Sequence, residues 1–251
     1  MKKPFHILMY LAVFLPCTSN AAGTVNNIPD MLKVADFSSM VQSDITPSGW
    51  HPLNFESIEN KTAYFLIRQQ NITVVQAVSH ASASGFIKKV NISSTIYPVI
   101  KWRWKIDDVL NKGDIMTKEG DDYSARIYVS FDYDPHRLTG IESLKYKLYK
   151  LVHDESPPLA VINYVWGNHA HVGTTVNNAY SDRVKMIVIQ SGKKRTKQWV
   201  HEERNILEDY RRVFGEDPGN ITGIAIMTDT DNTGESATAW YGDISFHKSN
   251  D

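Results

Sequence analysis

The feature that most limits what this chain can fold into is the period-two alternation of "IYPVIKWRWKI", residues 96–106. Ile100, Trp102, Trp104 and Ile106 fall on one side of an extended chain, and Lys101, Arg103 and Lys105 fall on the other. That is the pattern of a strand with one face in a core and one toward water. "YSARIYVSF" (123–131) repeats it, with Tyr123, Ala125, Ile127, Val129 and Phe131 set against Ser124, Arg126, Tyr128 and Ser130. "TAYFLIRQ" (62–69), "ITVVQAVS" (72–79), "SGFIKKV" (84–90), "LAVINYVW" (159–166), "VKMIVIQ" (184–190), "ITGIAIMT" (221–228) and "TAWYGDISF" (238–246) read as further strands bounded by turn residues. Helical spacing occurs in "IESLKYKLYKLV" (141–152) and in "ERNILEDYRRVFG" (203–215), which ends on Gly215 as a C-terminal cap. Many short strands with two short helices, and no regular strand–helix alternation, predict a mainly β chain. The architecture expected is a two-sheet β-sandwich of jelly-roll type.

The N-terminus has the layout of a secretory signal peptide: Lys2 and Lys3, an apolar run from Phe5 to Pro16, then the small and polar "CTSNAAG". Ser19 and Ala21 suit cleavage after Ala21, so the expected division is a signal peptide over 1–21 and a single sandwich domain over 22–251. The apolar run is too short for a membrane span. Lipid attachment at Cys17 is the alternative, which Pro16 directly before the cysteine disfavours. Cys17 is the only cysteine, so a cleaved chain holds no disulfide and must rest on its core. The formal net charge of −1 becomes about −3 once two lysines leave, a balance that argues against a nucleic-acid partner. The expected location is periplasmic or secreted.

"WRWKIDDVLNKGDIMTKEGDDYSARIYVSFD", "INYVWG", "RNILEDYRRVFGEDP" and "ITGIAIMTDTDNTGESATAWYGDISF" together resemble the bacterial domain-of-unknown-function family 3047, over roughly residues 34–247. That family is known by its sequence and brings no established activity. More distantly, "VADFSSM…SGWHPLNF" and the closing "YGDISF" are similar to galactose-binding-like jelly rolls, which implies a carbohydrate-binding module or an accessory domain of an enzyme.

The acidic loop "TDTDNTGES" (228–236) is the strongest candidate for chemistry. Asp229, Asp231 and Gly234 reproduce the first half of a calcium loop. Trp240 occupies the position where an EF-hand needs its last carboxylate, and the flanks read as strands, which excludes an EF-hand. A looser metal site of Asp229, Asp231 and Glu235 is the metal reading, with calcium as its ion. Against it stands a turn whose side chains bond their own backbone or an arginine. Arg126 and Tyr128, joined by Arg103, offer hydrogen-bond donors for sugar hydroxyls, against the reading that they form the wet face of a half-buried sheet. Trp166, at a strand end, is expected as an exposed stacking ring; Trp102 and Trp104 are expected in the core. His169 and His171 are expected at the surface. No nucleophile elbow, zinc-protease helix or phosphate-cradling loop occurs. A glycosidic hydrolysis would use Glu235 with Asp121 or Asp122.

The leading function class is therefore a periplasmic or secreted sandwich binding a carbohydrate or cell-envelope glycan through Arg103, Arg126, Tyr128, Trp166 and Glu235. A carbohydrate-active hydrolase or lyase using the same groove, and a structural envelope protein without a small ligand, are the alternatives.

Overall fold

The computed structural model describes residues 28–41, 49–133 and 160–249. Within them two sheets face each other. The six-stranded sheet has the order β11-β6-β13-β4-β3, with β1 on the free length of β13. Its strands are β1 (Met31–Ala35), β3 (Ala63–Gln69), β4 (Ile72–His80), β6 (Val99–Ile106), β11 (Val200–Asn205) and β13 (Ser236–His247). The seven-stranded sheet runs β2-β5-β12-β7-β8-β10-β9. It contains β2 (His51–Leu53), β5 (Ala83–Ile92), β7 (Arg126–Phe131), β8 (Ala160–Gly167), β9 (Thr175–Asn178), β10 (Ser181–Ser191) and β12 (Ile221–Asp229). β8 and β10 are parallel, whereas the pairs flanking β12 are antiparallel. The chain changes sheet at most of its connections, as a jelly roll does, and the mainly β two-sheet sandwich follows.

The core lies between the sheets and is built from the alternation described above. Ile100, Trp102, Trp104 and Ile106 of β6 all point inward and are buried. They meet the inner face of β8: Trp102 packs on Tyr164 with ring centroids 5.4 Å apart, and Trp104 on Trp166 at 5.9 Å. Trp166 is thus 1% exposed, which corrects its expected place at the surface. The rest of β8 is buried as well, because both faces of that strand are covered, as in a central strand with an unbroken apolar run.

The helix differs from expectation at its start. Residues 200–205 form β11, an edge strand paired with β6, and helix α1 begins only at Ile206 and runs to Phe214. The Asn205 side chain accepts hydrogen bonds from the N–H groups of Leu207 and Glu208, both at 3.2 Å, which is the usual work of an N-cap. Gly215 closes the helix at φ 73° with its N–H on the Arg211 carbonyl. α1 seals one end of the sandwich by packing Tyr210 on Phe131 at 4.8 Å. The other expected helix, 141–152, lies outside the described residues, as do 1–21 and Cys17. Among the described residues no helix is long and apolar enough to cross a membrane.

The opposite end of the sandwich is held by buried hydroxyls. Ser79 Oγ bonds Ser82 Oγ at 2.8 Å and Thr230 Oγ1 at 2.7 Å. Thr62 Oγ1 donates to the Thr228 carbonyl, and Thr228 Oγ1 meets the Tyr241 hydroxyl at 2.9 Å. These contacts tie the end of β12 to β4 and β13 of the other sheet, and so fix where the acidic loop begins.

Candidate functional site

The outer face of the seven-stranded sheet carries two cross-strand rows. Gly85, Met227, Arg126, Val165 and Val188 stand in one register, and Ile87, Ala225, Tyr128, Asn163 and Met186 in the next. On this face β7 and β12 present Arg126, Tyr128 and Met227 side by side. One step toward the strand ends, Asp229 lies opposite Ala83. Loops rise around this patch: 55–58 on one side, 118–122 and 231–233 at the strand ends, and the β9–β10 hairpin at Asn178 and Tyr180. They enclose a cavity of about 510 Å³.

Arg126 lies at the floor of this cavity and is 2% exposed. Its Nε donates to Asp229 Oδ1 at 2.8 Å, and one Nη bonds Asp229 Oδ2 and the Asp121 carbonyl. The other Nη donates to Asp121 Oδ1 and to the Tyr128 hydroxyl, both at 3.3 Å. A guanidinium has five N–H groups, and here each has a protein partner. Arg126 is therefore a fixed keystone that orients two acids and a phenol; its donors are already in use. Its Cζ also lies 4.4 Å from the centroid of the Tyr123 ring.

Burial works against the Arg126 charge, yet Asp229, Tyr128 and Asp121 outweigh it and hold the group a cation. Burial pushes the Asp229 carboxyl above the usual carboxylate range, opposed by Arg126 and reinforced by Asp122 and Asp121. The two-pronged contact, with both oxygens accepting from N–H groups, is that of an ionised pair. Burial likewise raises the Tyr128 and Tyr123 phenols, so both stay protonated. Burial and the nearby Asp122 also raise the Asp231 carboxyl.

The remaining acids have distinct surroundings. Asp121 Oδ2 accepts from Asn178 Nδ2 at 2.8 Å. Asp122 is fully buried, and its Oδ2 accepts from the Thr233 N–H at 2.6 Å. One carboxylate oxygen each from Asp122, Asp229 and Asp231 lies within 4.8 Å of the other two.

Of the residues singled out in the sequence, the structure brings Arg126, Tyr128, Asp121, Asp122, Asp229 and Asp231 together. It separates three others from them. Glu235 does not line the cavity: its Oε1 accepts from the Asn111 N–H at 3.2 Å and its Oε2 from the Lys112 N–H at 2.9 Å, so it clamps a neighbouring turn. The metal-capable group formed with Asp229 and Asp231 accordingly takes Asp122 in place of Glu235. Arg103 belongs to the other sheet, where it stacks over Trp199 at 4.7 Å and lies close against Gly242. Trp166 is in the core. His169 is exposed and bonds the Asn111 carbonyl at 3.1 Å, and His171 is exposed.

Sequence reasoning missed Asn178 and Tyr180, which come from the β9–β10 hairpin, and Phe55 and Met227, whereas Asn232 belongs to the acidic loop already singled out. Asn232 Nδ2 donates to the Tyr180 hydroxyl at 3.0 Å across the cavity mouth. The "NNAY" turn was the available signal, but nothing in one sequence says which sheet face a turn overhangs.

A family model described as "Protein of unknown function (DUF3047)" matches residues 48–245. No curated protein matches the chain. Among solved structures, it is similar to the family 11 carbohydrate-binding module of the cellulosomal cellulase Lic26A-Cel5E of Clostridium thermocellum, with a TM-score of 0.44, 9% identity, and 87% of this chain and 95% of that chain covered. The family 30 module of the cellulosomal cellulase Cel9D-Cel44B of the same organism gives a TM-score of 0.41, 10% identity, and coverage of 88% and 99%. The cellulose induced protein Cip1 gives 0.39, 10%, and coverage of 80% and 92%. At these scores the likeness carries nothing about the site.

Proposed function

The chain belongs to the DUF3047 family, a membership that assigns no activity, and we propose that it is an exported protein binding a carbohydrate in the cavity on the outer face of its seven-stranded sheet. The observation that carries this reading is the lining of the roughly 510 Å³ cavity: fixed acceptors and amides beside aromatic rings. Asp121, Asp231, Asn178 and Asn232 supply hydrogen-bonding groups, while Phe55, Tyr128 and Tyr180 supply apolar faces. A sugar ring presents hydroxyls at its edge and C–H groups on its faces, and such a lining meets both. The volume falls within the ordinary range for small-ligand sites.

The charge pattern narrows the class. Among the described residues that line the cavity, Arg126 is the one cation, and its N–H donors all have protein partners. An anionic ligand would meet Asp121, Asp229 and Asp231 in the lining, with the Lys118 ammonium, 4.8 Å over the Tyr180 ring, at the mouth and not on the floor. A hydroxyl-rich ligand, donating hydrogen bonds to carboxylates, fits without that cost. The location outside the cytoplasm rests on the signal-peptide pattern at residues 1–21.

The test is calorimetry and a glycan array with the mature protein, against envelope and plant polysaccharides. Tyr180→Ala and Asn178→Ala should each weaken binding at least tenfold, an amount that one stacked ring or one paired hydrogen bond supplies. No binding to any glycan, or unchanged affinity in both variants, would sink the reading. Chromatography of the bound glycan after incubation separates binding from turnover.

A further inference from the structure

We propose that Asp122, Asp229 and Asp231 form a site for a hard divalent cation, calcium foremost, at the rim of the sheet where the cavity opens. An oxygen from each lies within 4.8 Å of the others, and oxygens sharing one calcium at 2.3–2.6 Å stand at most about 5 Å apart. The three come from separate places in the chain. Asp122 precedes β7, Asp229 is the last residue of β12, and Asp231 belongs to the loop that follows. The hydroxyl contacts of Thr228 and Thr230 with the other sheet hold the latter two in position.

Crowded acids alone would not require an ion, since Arg126 already serves Asp229. What Arg126 leaves over does. Asp122 is fully buried, yet its Oδ1 accepts no hydrogen bond. A buried carboxylate oxygen without a donor is among the most costly arrangements a fold can contain. Among the described residues no lysine or arginine forms an ion pair with Asp122 or Asp231; the guanidinium beside them is paired to Asp121 and Asp229. A cation bound at Asp122 Oδ1 and shared with Asp229 and Asp231 would satisfy that oxygen and offset the mutual repulsion of the acids in one step.

The donor set selects the ion. Carboxylate oxygens without a histidine or cysteine favour calcium, magnesium or manganese over zinc and copper. Three carboxylates from a strand end and two loops suit the irregular, six- to eight-coordinate shell of calcium better than the strict octahedron of magnesium. Asp229 and Asp231 also line the cavity, so the site borders it. This inference stands apart from the carbohydrate reading, because its observations are those of the acids alone.

The experiment is calcium titration of chelator-treated mature protein by calorimetry, with thermal unfolding in parallel and sodium chloride at equal ionic strength as control. One calcium per chain is expected, with a raised unfolding midpoint that sodium does not reproduce. Terbium should occupy the same site and luminesce through energy transfer from Tyr123, the residue next to Asp122. Asp231 is only half-buried, so Asp231→Asn should unfold like the calcium-free parent while binding calcium at least tenfold more weakly. Asp122→Asn should do the same and serves as the second variant if folded. No heat and no rise in midpoint at ~10 mM calcium, beyond the weakest physiological sites, would overturn the proposal. So would binding that both variants leave unchanged. Glycan binding measured separately in chelator keeps the two readings distinguishable.

Discussion

Replacing Arg126 by Met removes a charge but keeps a long, unbranched side chain at the floor of the cavity. The side chains around it are nearly as buried as the guanidinium: Arg126 is 2% exposed, Asp229 5% and Asp121 6%. In the variant both carboxylates lose their cation and the Tyr128 hydroxyl loses a donor. Removing one partner of a buried ion pair costs about 3–5 kcal/mol. For a chain of this size each kcal/mol moves the midpoint by roughly 2–4 °C, so melting should fall by about 6–20 °C. Urea unfolding followed by tryptophan fluorescence, with circular dichroism melts beside it, gives both numbers. Arg126→Lys should recover little, because a point charge cannot reach the acceptors that the planar fork serves. Adding Asp229→Asn to Arg126→Met should recover part of the loss, with a coupling of roughly 0.5–3 kcal/mol. A loss below about 1 kcal/mol, the scale of a solvated surface pair, would refute the assignment of Arg126 as the keystone of the site.

Other outcomes follow from the same structure. Trp104→Ala should cost roughly 3–5 kcal/mol in urea unfolding, since Trp104 is fully buried between Trp102 and Trp166; a parent-like midpoint would show that the ring is not core. Asp209 accepts from Arg204 at 2.8 Å, Arg212 at 2.9 Å and the Tyr164 hydroxyl at 2.8 Å. Burial works against its charge, but these donors hold its carboxyl below the ordinary value. A depressed carboxyl stabilises the fold above its unfolded pKa, and that contribution fades as pH falls through the folded one. Asp209→Asn should therefore cost roughly 1.5–3 kcal/mol at pH 7 and progressively less in acid, and a difference constant with pH would contradict this. N-terminal sequencing of exported protein should read from Ala22, whereas a start at a lipid-modified Cys17 would place the protein on a membrane.

The fold was legible wherever one strand face is buried and the other is not. β6 announces itself because Trp102 and Trp104 alternate with Lys101, Arg103 and Lys105, and the structure keeps that alternation. The short strands β1, β2, β9 and β11 were silent for lack of it. "VHEERN" even reads as the start of a helix, since Glu203 and Arg204 are good helix formers; pairing with β6 overrides that preference. Arg126 and Tyr128 were visible as polar residues among apolar neighbours, and the pairing of an acidic-loop residue with Arg126 was among the readings of that loop. The misplaced residues share one cause, which is dependence on distant partners. Glu235 is captured by N–H groups of residues 111 and 112, more than a hundred positions away, and Trp166 is captured by Trp104 of the facing sheet. The third acid of the cluster, Asp122, is hidden from any local spacing rule for the same reason.

The antiparallel pairing of β7 with β12 gives the Arg126–Asp229 contact a further role, as an error check on assembly. Arg126 stands directly across from Met227, and Asp229 lies two residues further along on the same face. Strand side chains alternate, so sliding β12 by a single residue would aim its carboxylate into the layer of Ile127 and Val129 and leave the guanidinium facing an isoleucine or a threonine. Such a slip would also put Gly223 and Ala225 where Ile224 and Ile226 fill the core, a loss of packing volume that is penalised in its own right. An unpartnered buried charge is penalised as well. The ion pair thus adds an electrostatic penalty to the packing one, and the floor of the cavity and the register of β12 are tied to the same pair of side chains.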